Sequence, residues 1–443
     1  MYFSLDVLRA RKGDCLMLHF GTNDDPHLIL IDGGPSKVYK PHLAPRIEQL
    51  HASRKLDPND PLPVDVVLVS HVDDDHIRGI LELTAGQLGN SPEFRLKVAS
   101  LWHNSFDDLL TTTPEELLSG FGLASFEAGT VRKPDFDGIE PDEESDEEEI
   151  HQTVDVLASI SQGRQLRDDR EVLQRRSTAR RQWKLNHKFD GELILATEAS
   201  QSVVLDGGLS ITVAGPMQPE LNALQEAHDK WLREQKEGKK KSPEAMLAAF
   251  VDKSVPNLSS IVVLAEMGGK SMLLTGDARG DKILEGLELA RLLEPGKKRK
   301  VDLLKVPHHG SSNNMEAIFF ERLPAEHYVF SGDGEHGNPE RETLEMLLEA
   351  RGVNAKYTIH LTYPVDEIDI ERQADWEKEQ AKEKARKKKN PATKKPVRED
   401  WSPKKRSLAA FFKNNPEMAK KLSIVEEGEP HLINLLEPLK LQV

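Results

Sequence analysis

Between Ser70 and His76 the chain crowds two imidazoles and three carboxylates into the stretch His71-Val72-Asp73-Asp74-Asp75-His76. Packed this closely, such groups compete for water and repel one another. A divalent cation resolves the conflict, because neutral imidazole and carboxylate are ligands that zinc and manganese accept. On a regular helix His71 and Asp75 would share a face while Asp73 pointed away. The set therefore converges only if the segment turns from strand into helix. A plainer reading is helix capping, since aspartates ahead of an apolar run satisfy free N–H groups and the helix dipole. Capping accounts for one or two of the aspartates and for neither histidine.

The elements around this stretch must position it. Val64–Val69 reads as a buried strand ahead of it, and a helix follows through roughly Leu83. Open sheets place ligands at the C-terminal ends of their strands. The pattern recurs along the chain. Leu28–Ile31 runs into Asp32-Gly33-Gly34, which reads as a tight turn in the first place, or as a backbone bend that brings a carboxylate and free amides toward a site at the sheet edge. Val98–Trp102 runs into His103-Asn104-Ser105, where His103 is either structural or a ligand. Ser271–Thr275 ends in Gly276-Asp277, and Val301–Val306 ends in Pro307-His308-His309-Gly310-Ser311. Tyr328–Ser331 ends in a polar turn that contains His336 and Asn338. Strand after strand terminates in His or Asp. Convergence of His71, Asp73, Asp75, His76, Asp277 and one of His308 and His309 on one rim is the economical expectation.

With 443 residues, 37% hydrophobic and 30% charged, the chain can bury a full core and still carry charged segments. Cys15 is its single cysteine, so neither an internal disulfide nor a thiolate zinc cage can form. Any metal must be held by His, Asp or Glu. No apolar run approaches the ~20 residues of a membrane span, and the N-terminus lacks the secretory pattern. The expectation is a cytoplasmic protein without a membrane partner. A formal net charge of −15 argues against coating nucleic acid over the whole surface. The charge is unevenly spread. An acidic insertion at about 134–150 is followed by a basic helical insertion at about 151–190 that includes Arg164, Arg167, Arg170, Arg175, Arg176, Arg180, Arg181 and Lys184. The latter reads as a solvated helix face, or as a cap that draws an anionic substrate. Residues 1–365 are expected to form the main domain and 366–443 a Lys/Arg-rich extension. Within the extension, the helix-prone segment 371–389 and the basic residues up to Arg406 are interleaved with Trp376 and Trp401. Such a stretch can grip phosphate and stack bases. It can equally be a solvated tail or a contact for the acidic insertion.

Taken together, the motifs resemble the metallo-β-lactamase superfamily of hydrolases. Its first motif, His-x-His-x-Asp-His, stands here as His71-x-Asp73-x-Asp75-His76. Aspartate in the second position resembles the hydrolase domain of the bacterial competence DNA-uptake channel. Gly13-Asp14-Cys15, Ile31-Asp32-Gly33-Gly34, Asn257-Leu258-Ser259-Ser260, Leu274-Thr275-Gly276-Asp277 and His308-His309-Gly310-Ser311 match that branch in order, along roughly residues 4–350. The resemblance implies an α/β fold, a four-layer αββα sandwich, with two divalent ions (zinc or manganese) at one edge. His71, Asp73 and His103 would hold the first ion. Asp75, His76 and His308 or His309 would hold the second, with Asp277 bridging, and Asp75, His76 and Asp277 would form the catalytic group. The family's last motif, Gly-His-Pro, reads Gly337-Asn338-Pro339 here. Asn donates a hydrogen bond but gives up no proton, so Asn338, His336 and Ser311 are substrate-binding candidates. The implied function is a metal-dependent hydrolase, a phosphodiesterase or nuclease that uses a metal-activated water on a nucleic-acid or nucleotide substrate. The alternatives are hydrolysis of a small ester, lactone or thioester, and a non-catalytic metal-binding interaction module.

Overall fold

The computed structural model describes residues 1–89, 95–104, 147–176 (147–161 as backbone), 182–198, 202–219, 259–393 and 395–439. The alternating segments at the N-terminus form antiparallel strands β1 (Tyr2–Val7), β2 (Leu16–Gly21) and β3 (Pro26–Ile31). Strands β4 (Leu62–Leu68), β5 (Leu96–Trp102) and the short β6 (Lys184–Leu185) add to them in parallel. Parallel neighbours need crossovers. Helix α1 (Ala44–Ser53) lies between β3 and β4, and α2 (Asp74–Leu88) lies between β4 and β5.

The second sheet repeats this plan. Antiparallel β7 (Val203–Val204), β8 (Ser210–Gly215), β9 (Val262–Met267) and β10 (Lys270–Leu274) lead into parallel β11 (Val301–Lys305), β12 (Ala325–Phe330), β13 (Thr358–Leu361) and β14 (Leu422–Ile424). Its crossovers include α4 (Gly280–Leu289), α5 (Ala317–Arg322) and α6 (Arg341–Arg351), while α3 (Glu147–Arg176) precedes β6. The last strand, β15 (Leu432–Asn434), returns to pair with β1 of the first sheet.

Period-two alternation sends side chains to both faces of each sheet. Val7, Leu16, Ile31, Leu68 and Trp102 form one row across the first sheet. They pack with Ile211, Val263, Leu274 and Val329 in a core shared by the two sheets. Their alternates Met17, Leu30 and Val67 pack instead with Ile47, Leu50, Ile77 and Ile80 of the helices. Leu264, Leu304 and Tyr328 of the second sheet pack with Ile283, Phe320 and Leu344 on its far side. The protein is α/β, with two mixed sheets flanked by helices, an arrangement compatible with a sandwich.

The hydrophobic core does not end at residue 365. Helix α7 (Val365–Lys389) carries the basic run, but α8 (Leu408–Asn414) buries Leu408, Phe411 and Phe412. Val425, Ile433 and Leu435 enter the core between the sheets. The acidic segment expected at 134–149 lies outside the described residues as far as 146, as do Arg180 and Arg181. No helix among the described residues is long and apolar enough to cross a membrane.

Candidate metal centre

Parallel strands end on one edge. In the first sheet β3, β4 and β5 deliver Asp32, Ser70-His71 and His103 to a common rim. In the second, β10, β11 and β12 deliver Asp277, His308-His309 and Ser331. β2 runs antiparallel to β3, so the residues that lead into it, Asp14 among them, lie at the same rim. The two rims are stitched together. Ile261 N donates to the Ser70 carbonyl at 2.9 Å, and Asp277 N donates to Ser260 Oγ at 3.2 Å.

The stretch that opened the sequence reading does turn from strand into helix. Residues 69–73 are a loop, and Asp73 stands at the N-cap of α2 with extended backbone and no capping bond from its side chain. Its Oδ2 instead lies 3.5 Å from His71 Nε2. Asp75 and His76 occupy the first helical turn. Two glycines clamp that turn in place. Gly33 N donates to the His76 carbonyl at 2.7 Å and Gly79 N to the Gly34 carbonyl at 2.9 Å. A Cβ on Gly79 would stand 1.9 Å from the Gly33 carbonyl oxygen.

Asp277 lies at the middle of the resulting cluster. His76 Nε2 is 3.3 Å from its Oδ1, and His309 Nε2 is 3.2 Å from its Oδ2. His308 Nε2 and His71 Nε2 approach Oδ2 at 3.8 and 3.9 Å. Asp75 reaches His309 at 3.5 Å and His76 at 3.9 Å. His76 and His309 face each other Nε2 to Nε2 at 3.3 Å. Among the described residues, neither His71 Nε2 nor Asp277 Oδ1 has a hydrogen-bond partner.

Surrounding groups aim these rings. Asp32 Oδ2 accepts from His76 Nδ1 at 2.8 Å and from Ser70 Oγ at 2.7 Å. Ser331 Oγ lies 3.0 Å from His309 Nδ1 and itself donates to Asp14. Asp32, His308 and His309 adopt left-handed backbone at φ 55°, 48° and 53°. Such strain costs about 1–3 kcal/mol per residue and persists where the surroundings over-determine it.

Burial opposes charge on His76, His309 and Asp277, and their charged neighbours overrule it. Against burial, the carboxylates of Asp277, Asp32 and Asp75 raise His76 well above its ordinary pKa. Against the same burial, Asp277 and Asp14 push His309 up to about 10. Burial would raise Asp277, but His309, His76 and His308 hold it well below the usual carboxylate range. Burial lowers His308. The carboxylates around His76 and His309 favour positive charge between the two rings, whose Nε2 atoms lie only 3.3 Å apart. A divalent cation supplies that charge with neutral rings. Zinc–nitrogen bonds of about 2.0–2.1 Å in a tetrahedron set ligand atoms about 3.3–3.4 Å apart, close to the His76–His309 and Asp277 spacings. The donor set fits a metal.

Ligand atoms of Asp14, His76, Asp277 and His309 all lie within 4.8 Å of one another, and all four residues are buried. Asp14 is the least available of the four. Lys305 Nζ sits 2.5 Å from its Oδ2, and Ser331 Oγ donates to its Oδ1. Lys305 is itself buried and stands 3.8 Å from Asp277 Oδ1. Asp75, on the first turn of α2, is better placed to be a ligand beside His76 and His309.

Other expected site residues fall around this cluster. His103 is buried after β5, its backbone N donating to Asn186 Oδ1. A Cβ on Gly163 of α3 would touch both His103 Nε2 at 3.8 Å and Val72 of the metal loop at 3.3 Å, so His103 lies beside that loop. Ser311 Oγ is 3.5 Å from Glu340, and Asn338 is buried with no hydrogen-bond partner on Oδ1 among the described residues. His336 Nε2 lies 2.9 Å from Lys12 Nζ. Helix α3 is a buttress: Gln162 Nε2 donates to Asp74 at 2.7 Å, and Leu166 and Leu173 are buried against α2. Asp14, Ser70, Lys305 and Ser331 were not among the expected site residues. Their legible signals were Asp14 in the motif Gly13-Asp14-Cys15, Ser70 at the head of the opening stretch, and a lysine within the apolar run Val301–Val306. No family model matches the chain.

Proposed function

We propose that the chain is a metal-dependent hydrolase of the metallo-β-lactamase superfamily, its two sheets the inner layers of a four-layer αββα sandwich. Its substrate is a phosphodiester of a nucleic acid or nucleotide. The observation that carries this reading is Asp277, whose Oδ1 faces His76 Nε2 and whose Oδ2 faces His309 Nε2, with His71 and His308 approaching that same Oδ2. His71, Asp73 and His103 would hold one ion and Asp75, His76 and His309 a second, with Asp277 shared. His309 takes precedence over His308 because it is the deeper of the pair; His308 is assigned to the substrate side.

A bound divalent ion supplies Lewis acidity, lowering the pKa of water and neutralising charge on a phosphoryl oxygen. The chain's own groups prepare the site for that chemistry. Asp32 accepts a hydrogen bond from Nδ1–H of His76, which turns Nε2 inward. Lys305 compensates Asp14 and reduces the negative charge around Asp277. Asn338 offers an amide donor to a substrate oxygen and cannot act as an acid. Asp73, a hard oxygen ligand in a position where histidine is usual, shifts preference toward manganese.

The purified chain is expected to carry divalent metal by elemental analysis and to hydrolyse a chromogenic phosphodiester but not a lactone or thioester. Chelation should stop turnover. Asp277→Ala should lose both metal and at least ~100-fold in rate while keeping its circular dichroism. A metal-free protein, or an Asp277→Ala variant as active as its parent, would sink the reading.

A further inference from the structure

Residues 365–406 form an arm that the metal centre does not use. Helix α7 has 25 residues, or about 37 Å of length. Beyond Asn390 the chain runs back along it. Arg398 N and Nε donate to Glu383, and Gln380 Nε2 donates to the Arg398 carbonyl. Trp376 Nε1 donates to the Glu399 carbonyl at 2.9 Å. Arg406 and Arg398 lie over the Trp376 ring at 3.7 and 4.8 Å, and Trp401 meets it edge-on at 6.0 Å. The two tryptophans pack within the arm, Trp376 against Arg398 and Arg406 and Trp401 against Arg372.

The base of the arm packs on the turn 334–338, and Glu340 just beyond that turn donates its N to the carbonyl of Gly310, next to His309. Buried Arg372 donates through Nε to the Gly337 carbonyl at 2.9 Å and through its terminal nitrogen to the Arg406 carbonyl at 2.8 Å. It thereby joins the returning strand to the turn that carries Asn338. The helix presses so closely on this turn that a Cβ on Gly334 would lie 2.3 Å from the Ile368 carbonyl oxygen. From Arg372 to Lys389 the helix rises about 25 Å.

Residues 384–406 contain eleven Lys or Arg and only two acidic residues, Glu399 and Asp400. Lys388, Lys389, Lys404 and Lys405 are exposed. No large apolar side chain is exposed among the described residues of this segment, whereas a membrane-surface helix needs an apolar face.

We infer that the arm is a phosphate track: it holds the backbone of a nucleic-acid strand that runs outward from the metal centre. The inference rests on the phosphodiesterase reading for what lies at the inner end of the track. With its aromatic rings engaged, the arm reads charge and not base identity, so binding is independent of sequence and steeply dependent on salt.

The test uses the full chain in chelator with a fluorescent 20-nucleotide single-stranded DNA, so that binding is read without cleavage. The quadruple variant Lys388→Gln, Lys389→Gln, Lys404→Gln, Lys405→Gln is expected to bind at least ~10-fold more weakly. Its plot of log affinity against log salt should be shallower by about 3, at about 0.7 per lost contact. The matching four Lys→Arg exchanges should bind like the parent, which separates lost charge from lost fold. Unchanged affinity and slope in the glutamine variant overturn the inference. So does a variant whose loss is confined to phosphatidylglycerol vesicles. A chain that binds DNA through these lysines yet hydrolyses no phosphodiester supports the track and refutes the proposed activity.

Discussion

Asp32 accepts hydrogen bonds from Ser70 N, Ser70 Oγ and His76 Nδ1, and so sets the direction of a ring that it does not let rotate. Partners of this kind typically contribute 10–100-fold to metal affinity. Asp32→Asn keeps the size and tolerates the left-handed backbone, but a carboxylate acceptor is lost. Metal affinity should fall by about 10–100-fold, measured by competition with a chromogenic chelator. An affinity within twofold of the parent would mean that His76 is oriented by something else. At this scale the ligand types were legible: His71, Asp73, Asp75, His76, Asp277 and both histidines of the 308–309 pair do meet. Their supporting residues were not. Asp14 gains its place from Lys305 and from Ser331, the latter 317 positions away along the chain. Nothing local marks such a pairing.

Among the elements, α2 carries the most consequence, because its first turn holds Asp75 and His76 while its entry loop holds His71 and Asp73. The helix can approach β3 only because Gly33 and Gly79 leave no side chain between them. Gly79→Ala forces a methyl against the Gly33 carbonyl, so α2 must move outward and carry two ligands with it. Overpacking of this kind costs about 1–3 kcal/mol. The variant should lose that stability in urea unfolding, together with a measurable part of its metal affinity. A variant that matches its parent in both would show that the clamp does not position the turn. The strand-to-helix turn and the helix-prone segment 371–389 follow from turn chemistry and residue propensity, although α7 begins six residues earlier, at Val365. The role of α3 does not. Its composition reads as a solvated helix, yet Gln162, Leu166 and Leu173 brace α2, a use that depends on which face meets a neighbour.

Over the whole molecule, the C-terminal residues tie the two sheets together: β14 extends the second and β15 extends the first. A chain of three histidines spans this closure. His327 Nδ1 lies 3.0 Å from His360 Nε2, and His360 Nδ1 lies 2.8 Å from His431 Nε2, while His431 N donates to Asp6 of β1. Burial, then His431 and His327, push His360 down to about 2; burial also lowers His327 and His431. The unfolded chain, with an ordinary value near 6.5, therefore binds the proton first. Stability is complete above about pH 6.5 and falls as acid is added, by up to about 1.4 kcal/mol per pH unit for His360 alone. Urea unfolding between pH 7 and pH 5 should show this slope, and His360→Gln should flatten it. An equal slope in the variant would assign the acid sensitivity to other groups.

The amino-acid sequence by itself determined that strands end in imidazole and carboxylate, that a single cysteine leaves only nitrogen and oxygen ligands, and that the chain has α/β layers. Each of these is a local property of residue type and period. Only the tertiary structure decided which ends meet, that Asp277 stands at their centre, and that Lys305 lies buried beside it. It also decided that Trp376 and Trp401 serve the arm itself, and that the C-terminal segment closes both sheets. Those are distances between residues far apart in the chain, set by burial of both sheet faces at once. The stretch from Ser70 to His76 shows the division plainly. Its candidate ligands were readable in order, while the orientation of His76 came from Asp32 and Gly33, more than forty residues earlier at the end of a neighbouring strand.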